Sequence, residues 1–215
     1  MNSKVVSVFH VTPLENLQSI LNTGLLLPDN YAKPIKNFGD PDLKAKRRRL
    51  QVAVEPGGNL ADYTPFYFTP QSPMMYQFVR SKIRQSTFVF FRLDFKPDNT
   101  ALVEGSPSIV ISAHPLSNLA VTERATAKNI DDLVKWKVIF SDDYSSTGFE
   151  FDDWVKFRQA ELLIHKGLKI DSPNVKLLVR TDDALAKVDA LIKSFSLEIY
   201  SDIDEKLFFH YNLLE

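Results

Sequence analysis

Pro65, Pro70 and Pro73 bracket the aromatic triplet Phe66-Tyr67-Phe68 and constrain this chain more than any other local feature. Each proline lacks an N–H and has a fixed φ, so a regular helix is disfavoured here and a short strand or rigid turn is expected. In an extended backbone, neighbouring side chains point to opposite faces. Phe66 and Phe68 then face one way and Tyr67 the other. Such a strand holds one ring rigidly where a flat ligand can meet it. The ordinary alternative is a core strand with a proline-rich exit.

The rest of the chain mixes strand and helix signals. Residues 5–9 are β-branched and apolar and predict a strand. Thr12-Pro13, with Glu15 three residues after Thr12, has the form of a helix start with a capping box. Leu14, Leu17, Ile20 and Leu21 recur at helical spacing, and Gly24 is a natural left-handed terminator. Residues 28–62 have weak periodicity and several prolines and glycines. A long irregular segment inside a domain is more often functional than idle.

Short helices are expected over residues 42–48 and 130–136, the latter capped by Asn129, and longer ones over 74–84, capped by Ser72, and 182–195. Strands are expected over 85–95, 108–112, 175–179, 197–200 and 206–209, and residues 157–164 lead into another. Residues 141–153 are acidic and small and are expected to form an exposed loop. With no repeat, low-complexity tract or linker, a single α+β domain over residues 1–215 is the expected organisation.

At 44% hydrophobic and 25% charged residues the composition is globular, and 215 residues suffice for a real core. The chain has no cysteine, which excludes disulfides, thiolate chemistry and cysteine-based zinc sites and suits a cytoplasmic protein. No apolar run is long enough to span a bilayer, and the apolar start is too short for a secretory signal, so no membrane partner is expected. The net charge of −1 does not advertise nucleic acid, but its distribution does more. Lys44, Lys46, Arg47, Arg48 and Arg49 form one basic run, and Arg80, Lys82 and Arg84 a second. A solvated surface is the ordinary reading of such runs. A local phosphate-binding groove is the functional one.

Common enzyme signatures are absent. There is no phosphate-cradling glycine loop, no H-x-x-x-H metal pair and no G-x-S-x-G elbow. Four other segments stand out in order: Phe9-His10-Val11-Thr12 followed by Asn16 and Gly24-Leu25; Gly39-Asp40-Pro41-Asp42-Leu43-Lys44-Ala45-Lys46-Arg47; the Phe66-Tyr67-Phe68 strand; and Gln159-Ala160-Glu161-Leu162-Leu163-Ile164. Together they resemble the DarT family of DNA ADP-ribosyltransferase toxins, over about residues 6–164. The resemblance implies an ADP-ribosyltransferase-like fold with a central, split, mostly antiparallel sheet flanked by helices. It also implies NAD as co-substrate, with no metal required.

Residue roles follow from that resemblance. Glu161 matches the catalytic carboxylate, which faces charge developing on the ribose and helps activate the target base. It precedes an apolar run that a strand half buries, and a buried carboxylate needs a partner or a task. His10, Thr12, Asn16, Gly24 and Leu25 match NAD-binding positions, with Tyr67 as the surface against which nicotinamide stacks. Arg47 matches the arginine that acts on the target base. A guanidinium is too weakly acidic to be a comfortable base, so electrostatic stabilisation of the base anion suits it better. Arg48 and Arg49 leave the register of that arginine open by one or two positions. Lys46, Arg48, Arg49 and Arg80 are candidates for nucleic-acid contact.

The expected target is a base in single-stranded DNA, thymine first and guanine second, because duplex pairing hides the reactive atoms. RNA is the nearest alternative. A non-catalytic nucleic-acid-binding domain and a protein-modifying transferase are the others. The toxin resemblance implies an antitoxin partner, either a macrodomain hydrolase or an inhibitory protein. A monomer is expected.

Overall fold

A computed structural model of the protein describes residues 5–96 and 107–210. Residues 1–4, 97–106 and 211–215 of the expected domain lie outside that description. In chain order the elements are β1 (Val6–Pro13), α1 (Leu17–Thr23), β2 (Leu25–Leu26), α2 (Pro41–Arg47), β3 (Tyr63–Tyr67) and α3 (Pro73–Arg80). Then come β4 (Phe88–Phe95), β5 (Ser108–Ile111), β6 (Thr122–Arg124), α4 (Ala127–Leu133), α5 (Trp136–Ile139) and α6 (Phe151–Phe157). The last are β7 (Glu161–His165), β8 (Leu168–Lys169), β9 (Val175–Val179), α7 (Asp182–Ser194) and β10 (Tyr200–Ile203).

Eight strands form one sheet in the order β10-β9-β4-β1-β3-β7-β5-β6, and β2 pairs with β8 in a second, small sheet. Every neighbouring pair in the large sheet is antiparallel except β9–β10. The fold is thus α+β with a mostly antiparallel sheet. Its weak seam lies at the centre. β1 runs beside β4 from Val6↔Phe95 to Pro13↔Phe88, but its register with β3 is the single pair Phe9↔Tyr67.

The proline in β3 is accommodated by that seam. Pro65 lies opposite Leu163 of β7, and its carbonyl points across the seam to His10 Nδ1 at 2.8 Å. The N and O of one strand residue point to the same side, so the missing N–H also faces the seam. No ladder bond to β7 is lost.

Both faces of the central strands are covered. Val89, Phe91 and Leu93 of β4 pack with Val8, Leu162, Leu17 and Leu21 of α1, and Val188 and Ile192 of α7. Phe88 and Phe90 face the other way, toward Phe9, Val11, Met75 of α3 and Phe208. Phe91 is fully buried, and burial of one such ring contributes about 1.5–3 kcal/mol. The alternation expected for the aromatic triplet holds. Phe66 and Phe68 enter the main core, while Tyr67 turns to the opposite side.

Several local expectations are corrected. Thr12 does not cap a helix, because β1 continues through Pro13 and both residues stay paired with β4. Eight consecutive cross-strand pairs outweigh one cap. A 3-10 turn at Leu14–Asn16 precedes α1, and Glu15 pairs with Lys36 instead of closing a capping box. Gly24 does end α1, with φ 67° and its N–H donated to Leu21 O. Ser72 does cap α3, accepting from Met75 N, but the helix stops at Arg80, and Lys82 takes φ 58°. Thr126, not Asn129, caps α4. The acidic segment 141–153 is not loop throughout: α6 starts at Phe151, with Asp152 and Asp153 in its first turn, where the helix dipole favours carboxylates. The strand expected at 197–200 lies at Tyr200–Ile203. The one expected at 206–209 gives way to a 3-10 turn at Glu205–Leu207.

Candidate active site

The seam between β1 and β3 opens into a cavity of about 980 Å³, at the upper end of the roughly 300–1,000 Å³ typical of small-molecule sites. One wall is the end of β1 and α1. The other is formed by residues 27–47, most of them from the irregular segment 28–62 that the sequence marked as too long to be idle. Tyr67 and Glu161 form the floor.

Glu161 opens β7, where its register partners are Tyr67 on β3 and Ile111 on β5. Strands on both sides bury it, and it is only 2% exposed. Its carboxylate is satisfied from across the cavity. Arg47 Nη1 donates to Oε1 and to Oε2, each at 3.0 Å. Tyr67 is the register partner of Glu161 and its hydroxyl feels the same carboxylate. Burial, and next the charge on Glu161, hold the Tyr67 phenol well above its ordinary range, so it stays a neutral donor. Arg47 Nη2 is buried and has no hydrogen-bond partner among the described residues.

Arg47 reaches this point because α2 ends there. Asp40 starts the helix, its carboxylate accepting from Asp42 N at 2.8 Å and Leu43 N at 3.2 Å, with Pro41 in the first position. Arg47 is the last helical residue. The structure therefore singles out Arg47 from the basic triplet. Arg48 turns away and pairs with Asp29 at 2.7 Å.

His10 is held in one tautomer. The partner of Nδ1 is a carbonyl, which can only accept, so Nδ1 carries the proton and Nε2 keeps a free lone pair. Burial, the largest influence, lowers its pKa from 6.5 to about 4, aided by the positive charge of Lys44 and opposed by the Pro65 carbonyl. At neutral pH this cavity-lining imidazole is an uncharged acceptor.

Asn16 is buried and uses both ends of its amide. Oδ1 accepts from Lys36 N at 2.8 Å, while Nδ2 donates to Lys36 O at 3.0 Å and Thr12 Oγ1 at 3.2 Å. It grips the main chain of the opposite wall as a strand neighbour would. Thr12 and Leu25 also line the cavity. Gly24 does not: its positive φ ends α1 and its carbonyl accepts from Ile170 N at 3.1 Å. Lys46, Arg49 and Arg80 are exposed and outside the cavity lining.

Sequence reasoning passed over several residues. Lys33 and Lys36 join Lys44 of the basic run in putting positive charge on the cavity wall, but these two lie within a stretch with no periodic signal. His114 is held below its ordinary pKa, first by burial, with Glu161 raising it and Arg47 lowering it. Its place near the carboxylate depends on the β5–β7 pairing, which no local motif announces. Arg158, three positions before Glu161, is buried and donates to the carbonyls of Val138, Ile139, Ser141 and Gln71 while lying over Trp154. It ties the approach to β7 to the exit from β3. Among the described residues no group of His, Asp and Glu is placed to hold a metal, and no helix is long and apolar enough to cross a membrane.

Comparison with known proteins agrees with this geometry. The profile of the family described as "ssDNA thymidine ADP-ribosyltransferase, DarT" matches residues 9–209. A DNA ADP-ribosyl transferase of Thermus aquaticus is 46% identical over 70 residues, covering 32% of each chain. This alignment takes in about a third of that relative's length. A DNA ADP-ribosyl transferase of Escherichia coli O127:H6 is 28% identical over 170 residues, covering 76% of each. Thermus sp. 2.9 DarT, solved in complex with ADP-ribosylated ssDNA, shares the fold with a TM-score of 0.82 at 21% identity, covering 95% of this chain and 96% of that one. The same protein in complex with NAD+ gives 0.77 at 23% identity, covering 95% and 98%. The family profile takes in nearly all of the 215 residues, and this protein belongs to the DarT family.

Proposed function

We propose that this protein transfers ADP-ribose from NAD to a base of single-stranded DNA, thymine first and guanine second. The observation that carries the reading is the floor of the cavity, where one buried carboxylate, Glu161, meets Arg47 and Tyr67. Family membership and the printed complexes of Thermus sp. 2.9 DarT with NAD+ and with ADP-ribosylated ssDNA support the choice of substrates.

The residues fit a dinucleotide. His10 Nε2 accepts from a ribose hydroxyl. Lys33, Lys36 and Lys44 face the diphosphate, Thr12 and Leu25 border the bound molecule, and the Tyr67 ring backs nicotinamide. Asn16, which lines the cavity, meets NAD and also holds the opposite wall, while Gly24 shapes the wall without touching the molecule. Glu161 stabilises the positive charge that grows at ribose C1′ as the bond to nicotinamide breaks, the bonding pair leaving with the ring nitrogen. A base nitrogen then supplies the pair for the new bond to C1′ and gives its proton to Glu161. Arg47 Nη2, which lacks a protein partner, donates to a carbonyl oxygen of the base as that nitrogen becomes anionic.

Lys46, Arg49 and Arg80 carry the DNA backbone. Arg48 contributes more through Asp29 than through phosphate. The chain works as one domain and as a monomer in the cytoplasm. It acts as a toxin and is restrained by an antitoxin, either a macrodomain hydrolase that removes the mark or an inhibitory protein. Mass spectrometry after incubation with NAD and defined oligonucleotides tests the reading. A mass gain of one ADP-ribose is expected on thymine-containing single strands, with release of nicotinamide. Modification of RNA or protein alone would overturn it.

A further inference from the structure

We propose that Asp29 is a positioning residue that seats α2 so that Arg47 meets Glu161, and that it sets the rate of transfer rather than the affinity for NAD. The inference rests on the roles given above to Arg47 and Glu161.

The problem it answers is mechanical. Arg47 must reach a carboxylate 114 positions away in sequence. It does so from a seven-residue helix that has no buried residue. Apolar packing, which fixes most helices of this length, therefore does not seat α2. Polar tethers must.

Asp29 supplies one from the side. Lys44 and Arg48 stand four residues apart, on one face of the end of α2. Both point at Asp29: Lys44 Nζ lies 3.2 Å from Oδ1 and Arg48 Nη2 lies 2.7 Å from Oδ2. A single carboxylate thus grips the turn that carries Arg47 between its two cations. Asp29 and Lys44 are 28% and 24% exposed, so water screens that pair less than an open surface pair, while the 52% exposed Arg48 is screened more fully.

Asp29 is itself anchored. Tyr31 N and Ala32 N donate to Pro28 O, closing a tight turn around it. Its neighbour Asn30 donates from the backbone to Ala61 O at 3.1 Å and from the side chain to Asp62 Oδ1 at 2.7 Å. Asp62 immediately precedes β3, and β3 presents Tyr67 to Glu161. The tether therefore runs from the strand that holds one donor of Glu161 to the helix that holds the other. Loss of Asp29 removes the side tether, and leaves Arg47 on a helix held by its Asp40 cap, the Lys44–Asn37 bond and the chain that leaves it at Leu50. A displacement of about 1 Å at a reacting group costs on the order of 100-fold in rate.

The test measures single-turnover transfer from NAD to a thymine-containing single-stranded oligonucleotide, together with NAD affinity by calorimetry, on the full chain. Variants are Asp29→Ala, Asp29→Asn and Asp29→Glu, in the wild-type and Arg47→Lys backgrounds. Arg48→Gln breaks the same tether from the helix side, and keeps the proposal open to refutation if Asp29→Ala fails to fold. Asp29→Ala and Arg48→Gln are expected to slow transfer by about 10- to 100-fold with NAD affinity unchanged. Asp29→Glu should restore most of the rate. In the Arg47→Lys background Asp29→Ala should add little, because both changes strike one arrangement.

A full rate in Asp29→Ala and in Arg48→Gln overturns the proposal. So do losses that simply multiply with Arg47→Lys, and so does a fall in NAD affinity that matches the fall in rate, which would make Asp29 a ligand contact. A full rate in Arg47→Lys alone removes the reading on which the inference rests. That failure is distinct, because it shows before Asp29 is touched.

Discussion

Arg47 Nη1 donates to both carboxylate oxygens of Glu161, joining the end of α2 to the start of β7 inside the cavity. Two opposite charges this close, 13% and 2% exposed, share one shell. Whatever enters between them must replace what each gives the other.

Glu161→Gln keeps the shape and one hydrogen-bonding oxygen but removes the charge. Transfer should fall by at least about 100-fold, while NAD affinity changes little, because the lost interaction grows only as positive charge develops on the ribose. Single-turnover rates beside calorimetric affinities separate the two. Near wild-type rates would remove Glu161 from the chemistry.

The lowered pKa of His10 makes a prediction about pH. The folded value of about 4 lies below the ordinary 6.5, so the folded state binds fewer protons than the unfolded chain between those limits. His10 therefore contributes fully above pH 6.5, and its contribution fades as pH falls toward 4. The shift corresponds to about 3 kcal/mol at most. His114 and His165 are shifted in the same direction, so the comparison must be with His10→Gln. Denaturation midpoints across pH 4 to 7 should fall less steeply in the variant. Parallel curves would mean that the imidazole is not buried neutral.

Asn16→Ala deletes three hydrogen bonds, two that join the start of α1 to Lys36 on the opposite wall and one to Thr12 on its own. Each is worth about 0.5–1.5 kcal/mol, so a loss of roughly 2–3 kcal/mol in stability is expected. Hydrogen exchange should quicken over residues 33–40, and NAD affinity should fall through the disordered wall. Asn16→Asp, which cannot donate to Lys36 O, should behave in the same way. An unchanged exchange pattern would argue for a direct ligand role alone.

Two glycines should respond differently to alanine. Gly24 has φ 67° and open space around its missing Cβ, so Gly24→Ala should cost only about 1 kcal/mol and leave NAD affinity intact. At Gly167 an added Cβ would lie 2.8 Å from Leu26 O, with φ 104°. Gly167→Ala should cost more than about 2 kcal/mol, because the β2–β8 pair behind the cavity must part. Thermal melts of the two variants decide it.

The exposed cations should separate from the paired one. Lys46→Glu and Arg49→Glu are expected to weaken oligonucleotide binding and to flatten its salt dependence by about one unit of slope per lost phosphate contact. NAD affinity should be unaffected. Arg48→Glu should slow transfer as well, because it puts a carboxylate against Asp29. Equal salt slopes in wild type and all three variants would return the basic run to plain surface.

Much of the floor was legible in advance, because its cues are local. Three prolines and an aromatic triplet specify a strand with Tyr67 on its own side, and Glu161 before Leu162-Leu163-Ile164 announces a carboxylate about to be buried. Gly24 and Ser72 were legible as helix stop and start for the same reason. The walls were not. Whether Thr12 ends a strand or begins a helix is decided by Val89, far along the chain, and Asn16 is defined by its grip on Lys36. Asp29 gives no sign in sequence that it will stand between Lys44 and Arg48. His114 comes near Glu161 only because β5 lies next to β7.

The central seam has a consequence for how such a protein can change over time. Beyond Phe9 the register of β1 with β3 stops, and the edge of β1 from His10 to Thr12 borders the cavity instead of a strand. An edge of peptide groups is chemically the same whatever side chains it bears. A molecule docked along it is recognised partly by a feature that amino-acid replacement cannot erase. The fold itself tolerates wide change in sequence: a Thermus protein at 21% identity shares it with a TM-score of 0.82. What this cavity can recognise is therefore set in part by the path of the main chain, onto which side chains such as Glu161 and Arg47 are fixed.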